Sequence, residues 1–173
     1  GGKCDKESHN EKFFKNTIQI KVNPKDMDAI ARDLHEMNIA RTRHSMIIVN
    51  GSLLYAVGGF NSNGIIATCE EYEIDKAVWR SCASLNERRI WASLVTIEPR
   101  YIYAFGGVKD KMSNGSKVIE CLDTINRGAK LWTRVTLGSG SESWPEISLA
   151  GVFRLSEHNV IIFGGKVNQK ETS

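Results

Sequence analysis

The heptapeptide LLYAVGG at residues 53–59 decides how this chain folds: a short apolar run, Leu53 to Val57, leads straight into the paired glycines Gly58 and Gly59. A run apolar on both faces reads as a strand covered on both sides. Glycine at its end lets another backbone come close, or takes a dihedral that other residues resist. The device returns as YIYAFGG at 101–107, ending in Gly106 and Gly107, and as NVIIFGG at 159–165, ending in Gly164 and Gly165; the chain itself opens on Gly1 and Gly2. The second glycines, at 2, 59, 107 and 165, are 57, 48 and 58 residues apart, a repeat near 50 with loop insertions. Such a period marks stacked units, none of which can cover its own apolar face. A phosphate loop is excluded, because neither GxxxxGK[ST] nor GxGxxG occurs and no helical pattern follows the pairs.

Working outward, the first complete unit begins near Ala40 and Arg41 and passes through a strand from His44 to Val49. Asn50-Gly51 then turns the chain into Leu53–Val57, since both residues accept the positive φ of a tight hairpin. After the loop FNSNG come strands from Thr68 to Ile74 and from Val78 to Ala83, and four strands fit one propeller blade. The second unit repeats this 48 residues later, with Arg89 for Arg41, Ser93 for Ser45, Tyr103 for Tyr55 and Gly106 for Gly58. Its later landmarks drift to Glu120 and Trp132, so VKDKMSNGSK and Asn126–Lys130 are insertions. A polar connection, GSGSESWPE, precedes a further hairpin formed by Leu149–Leu155 and Asn159–Phe163. At the other end a polar stretch reads as a long loop leading to a strand from Thr17 to Val22. Residues 23–38 carry helix signals, with Asn23-Pro24 as a cap and Met27, Ile30, Ala31, Leu34 and Met37 near one face. Repeat register nevertheless sets Ala31 against Trp79 and Met37 against Leu85, which predicts an outer strand at Ile30–His35.

These residues resemble kelch repeats. The kelch pattern places a double glycine after the second strand, a glutamate two before a tyrosine in the third, and a tryptophan in the fourth; Glu70, Tyr72 and Trp79 match it. The second unit keeps Glu120 and Trp132 but has Leu122 at the tyrosine position. The resemblance implies an all-β, kelch-type propeller: an open partial ring of about three blades of four antiparallel strands. The expected units are 1–38 (the end of one blade with a long loop), 39–85 and 86–138 (complete blades) and 139–173 (the first half of the next), twelve strands in all. An open arc leaves blade faces bare. About 400 Å² of apolar surface forfeited per face, at ~25 cal/mol/Å², is roughly 10 kcal/mol. The chain is therefore expected to be a fragment whose missing blades come from the rest of a longer polypeptide or from a second copy.

The composition bounds the function. With 173 residues, 41% hydrophobic and 25% charged, the chain reads as globular. Its net charge of +3 is scattered and argues for neither a nucleic-acid groove nor a membrane face. No apolar stretch approaches the ~18 residues of a membrane span. Cys4, Cys69, Cys82 and Cys121 have no CxxC spacing, and His9, His35, His44 and His158 form no HxxxH pair. Isolated cysteines read as reduced, which points to a cytoplasmic setting; no metal or cofactor is expected. Asn50-Gly51-Ser52 and Asn114-Gly115-Ser116 fit the glycosylation pattern but are explained by a turn and a loop. Among the acids of CEEYEID, Glu70 reads as a structural carboxylate, with Glu71, Glu73 and Asp75 solvated.

Function is expected at the rim where connecting loops gather. Arg41, Arg43 and His44, with Arg88, Arg89 and Trp91, fall before or at the start of the innermost strands, and Phe60 and Asn61 open the adjoining loop. Arginine beside a flat aromatic dominates protein interfaces. Arg41 and Arg89 suit still better a framework role, bonding across blades. The expected function is thus a non-catalytic protein-interaction module, as a ubiquitin ligase substrate receptor or a scaffold, with a protein partner and no catalytic residues. The alternative implied by the resemblance is a propeller enzyme of galactose-oxidase-like or sugar-isomerase type, which would draw on Tyr55, Tyr72, Tyr101, Tyr103 and the histidines.

Overall fold

A computed structural model describes residues 12–110, 115–138 and 146–166. Gly1, Gly2, Cys4, His9 and Asn114 lie outside them. The described residues contain strands and turns and no helix, so none is long and apolar enough to cross a membrane.

The strands in chain order are β1 (Thr17–Asn23), β2 (Asp28–Leu34), β3 (Ser45–Val49), β4 (Leu53–Val57), β5 (Phe60–Asn61), β6 (Gly64–Ile65), β7 (Cys69–Glu73) and β8 (Val78–Cys82). They continue as β9 (Ser93–Ile97), β10 (Tyr101–Phe105), β11 (Glu120–Asp123), β12 (Thr133–Arg134), β13 (Gly151–Arg154) and β14 (Val160–Phe163). Two four-stranded antiparallel sheets, β3-β4-β7-β8 and β9-β10-β11-β12, are the two full blades. They are flanked by the two-stranded pairs β1-β2 and β13-β14. Asn50 and Gly51 take φ of 52° and 66°, the left-handed turn that the Asn-Gly pair predicts. Residues 28–34 form the outer strand expected from repeat register, so packing overrides the local helix signals. One pair was not foreseen: within FNSNG and the residue after it, β5 and β6 form a two-stranded ribbon.

Three apolar layers hold the units together. Met37, Ala56, Tyr72 and Trp79 join β1-β2 to the first blade. Val49, Tyr55, Val57, Cys69, Ile102, Leu122 and Trp132 fill the seam between the two blades, and Val95, Phe105 and Ile119 meet Val152, Val160 and Ile162 of β13-β14. The tryptophans also staple the first two seams. Trp79 Nε1 donates to His35 O at 3.1 Å, and Trp132 Nε1 donates to Ala83 O, at the matching position one unit later, at 2.9 Å. The glycine doublets also act between consecutive units. A Cβ on Gly58 would collide with Arg89 O, and one on Gly106 with Ile147 O, each in the following unit.

At the two ends the layers are bare. Ile18, Ile20 and Val22 on one face of β1 are exposed, as are Met46 and Ile48, and at the far end so are Phe153, Ile161 and Phe163. This is the arrangement of an open partial propeller.

Candidate partner-binding rim

The segment before the first strand of each blade is built twice to one plan. Arg41 Nη1 donates to Gly58 O and Thr68 O, both at 2.8 Å, and Nη2 pairs with Glu70 Oε2 at 2.8 Å. Arg89 does the same with Gly106 O at 2.8 Å, Val118 O at 3.0 Å and Glu120 Oε1 at 2.5 Å. The two glutamates also accept from the preceding loop: Asn38 and Ile39 N–H meet Glu70, and Asn86 and Glu87 N–H meet Glu120. Burial pulls the Arg89 guanidinium below the ordinary arginine value, while Glu120 pushes it back up.

This geometry corrects the rim expectation for two residues. The side chains of Arg41 and Arg89 have no exposed surface even in the open arc, so neither can be offered to a partner. They are framework residues, and every bond that Arg41 and Arg89 themselves make stays within one unit rather than crossing between blades. His44 is also turned inward. It is half-buried, its Nδ1 has no partner among the described residues, and burial together with the Arg41 charge lowers its pKa, favouring the neutral ring. Asn61 is buried and caps the β5-β6 ribbon through its Oδ1, which accepts from Asn63 N–H at 2.9 Å. Arg88 is exposed.

The rest of the set converges. The Arg43 guanidinium lies over two aromatic rings, 5.4 Å from the centroid of Phe60 and 5.6 Å from that of Trp91. Phe13 packs against Phe60 at 5.8 Å. Arg43 and Trp91 both have φ of 55°, and Leu149 has 56°. Leu149 was not singled out from the sequence, although it follows Trp91 by the same 58 residues that separate Gly107 from Gly165. Bulky residues in this conformation cost of order 1–3 kcal/mol each and persist where their surroundings impose it. Here the backbone imposes it: Trp91 N–H donates to Arg43 O at 3.1 Å, and Leu149 N–H to Trp91 O at 3.4 Å. Ser45 Oγ and Ser93 Oγ reinforce the line through Ala92 O and Ala150 O, both at 2.5 Å. The outcome is a row of large side chains along one rim, with Trp91 37% and Leu149 55% exposed.

The acids divide otherwise than alternation suggested. Glu71 is buried rather than solvated, because Arg127 and Tyr55 close over it. At the opposite end of β9 from Trp91, Glu98, Glu157 and His158 bring ligand atoms within 4.8 Å of one another on exposed turns.

Comparison with known families finds the Kelch motif at residues 40–86. Beta-scruin of Limulus polyphemus is 37% identical over 97 residues, which is 53% of this chain and 10% of that protein. Alpha-scruin of the same animal is 32% identical over 116 residues, 64% of this chain and 12% of its own length. An F-box/kelch-repeat protein of Arabidopsis thaliana is 28% identical over 86 residues, 49% of this chain and 20% of the plant protein. The chain thus spans between a tenth and a fifth of the relatives it matches. The glycine doublets sit in equivalent seams, and the chain carries the kelch motif at 40–86 and reproduces its arginine, glutamate and tryptophan in the next unit.

Proposed function

We propose that this chain is a protein-binding part of a kelch propeller and that it holds its partner on the rim formed by Arg43, Phe60, Trp91 and Leu149. The observation that carries this reading is the repetition of a large, left-handed residue at 43, 91 and 149, half-buried at 43 and exposed at 91 and 149, where glycine would relieve the strain. A guanidinium held against two rings supplies charge and flat apolar surface with little freedom left to lose on binding. Arg88, exposed nearby in sequence, extends the surface. The plant relative is named as a kelch-repeat protein joined to an F-box, which supports a binding role. The plant relative's pairing of F-box and kelch repeats favours a substrate-receptor role over a scaffold.

In the same reading residues 39–85 and 86–138 are whole blades, and further blades, from a longer polypeptide or a second copy, cover the bare end faces. The thiols of Cys69, Cys82 and Cys121 are free, which supports a reducing, cytoplasmic setting. The test is a photo-cross-linking residue at position 91 in the full-length protein, read in cells by mass spectrometry. A discrete partner adduct that disappears with Arg43→Ala is expected, with the melting temperature of that variant almost unchanged. An adduct that is absent, or indifferent to Arg43, would sink the assignment.

A further inference from the structure

Glu71 is a buried acid that the framework does not ask for. Glu70 has its counterpart in Glu120, but Glu71 aligns with Cys121, so the repeat is built without a carboxylate there. The Glu71 side chain is only 7% exposed, and hiding a carboxylate costs several kcal/mol unless it is compensated. Two groups compensate it. The Tyr55 hydroxyl donates to Oε2 at 3.1 Å, and the Arg127 guanidinium reaches Oε1 from the next blade. Burial pushes the Tyr55 phenol up to about 12, so its proton stays in place as a donor. Arg127 is a different kind of partner: it stands on the 126–130 insertion and its side chain is 55% exposed.

Around this group, between the two blades, lies a cavity of about 330 Å³ lined also by Ser81, Cys82, Thr124, Asn126 and, with a charge of its own, Lys130. Asp123 lines it as well, but both its carboxylate oxygens are occupied by Arg100, at 2.7 and 2.5 Å. Glu71 is therefore the acid that the cavity can offer, and each of its oxygens keeps a lone pair beyond the one already used.

We propose that this cavity binds a guanidinium or ammonium group, which pairs with Glu71 beside the Tyr55 hydroxyl and displaces Arg127 into solvent. Arg127 is the internal stand-in for that ligand. Releasing it costs little, since its guanidinium is half in water already. The incoming cation gains an ion pair screened by protein rather than by solvent. The hydroxyls and amide of Ser81, Thr124 and Asn126 can accept the remaining N–H groups. The cation can belong to a small molecule or to an arginine or lysine side chain of a partner.

The test is calorimetric titration of the whole chain with agmatine and, separately, with an alanine peptide carrying one arginine. Saturable binding is expected in wild type. It tightens about tenfold, or about 1.4 kcal/mol, in Arg127→Ala, where the internal competitor is gone, and it is lost in Glu71→Gln. Binding of agmatine assigns the site to a small cation, and binding of the peptide alone assigns it to a partner's side chain. Arg127→Gln, which keeps an N–H donor without the charge, serves if Arg127→Ala is too unstable to titrate. Failure of both probes on the Arg127 variants overturns the proposal, and so does wild-type binding that Glu71→Gln leaves undiminished.

Discussion

Replacing Arg89 with methionine probes the framework directly. The stem volume is kept, so the packing loss is small. The change removes two bonds to Gly106 O and Val118 O and the ion pair to Glu120, all at 2.5–3.0 Å. It also leaves Glu120, whose side chain has no exposed surface, with amide donors but no countercharge. Breaking a buried pair from one side costs about 3–5 kcal/mol, a large share of the 5–15 kcal/mol typical of a domain. At about 2–4 °C per kcal/mol for a chain of this size, the melting temperature should fall by roughly 10 °C. Urea denaturation of wild type, Arg89→Met, Glu120→Gln and the double variant forms the cycle. The double variant should be more stable than Arg89→Met, because the orphaned charge is gone. A loss below about 1 kcal/mol in Arg89→Met would refute the framework assignment, as would a double variant showing no coupling between the two sites.

Other outcomes follow from the same contacts. Gly106→Ala should destabilise by more than Gly51→Ala, by about 2 kcal/mol or more against about 1, since its Cβ meets Ile147 O while that of Gly51 meets nothing; equilibrium melts of both variants check this. Arg100 holds the Asp123 carboxyl down at about 2, below its usual 3.8, so the pair stabilises the fold above pH ~4. That contribution disappears as pH falls toward 2, and urea melts of Arg100→Ala should show a shallower loss between these pH values than wild type. Burial pushes the Cys69 thiol up to about 11, so iodoacetamide at neutral pH should leave it unlabelled in the native protein and label it in urea, as read by peptide mass spectrometry.

Much of the fold was legible because the repeat supplies its own internal comparison. Leu53–Val57 and Tyr101–Phe105 are strands with the bounds read from the sequence, and register outweighed the helix signals of residues 23–38. The β5-β6 ribbon escaped notice because two-residue strands are too short to show a period. The rim was only partly legible. Arg41 and Arg89 stand in sequence beside Arg43 and Trp91, and nothing local shows that they turn inward. The signal lay in the distant partner: Glu70 follows Arg41 by 29 residues, and Glu120 follows Arg89 by 31. Strand alternation separated Glu71 from Glu70 but could not show which face is covered. That depends on an insertion in the next unit, which period arithmetic treats as an interruption.

The line of main-chain bonds through 43, 91 and 149 has an evolutionary consequence. The residues meet through peptide groups, so their identities are left unspecified, and arginine, tryptophan and leucine occupy equivalent places without altering the joint. Each unit can then exchange its outward side chain without breaking the main-chain joint, and a new binding preference can arise one substitution at a time while the load-carrying joints stay the same.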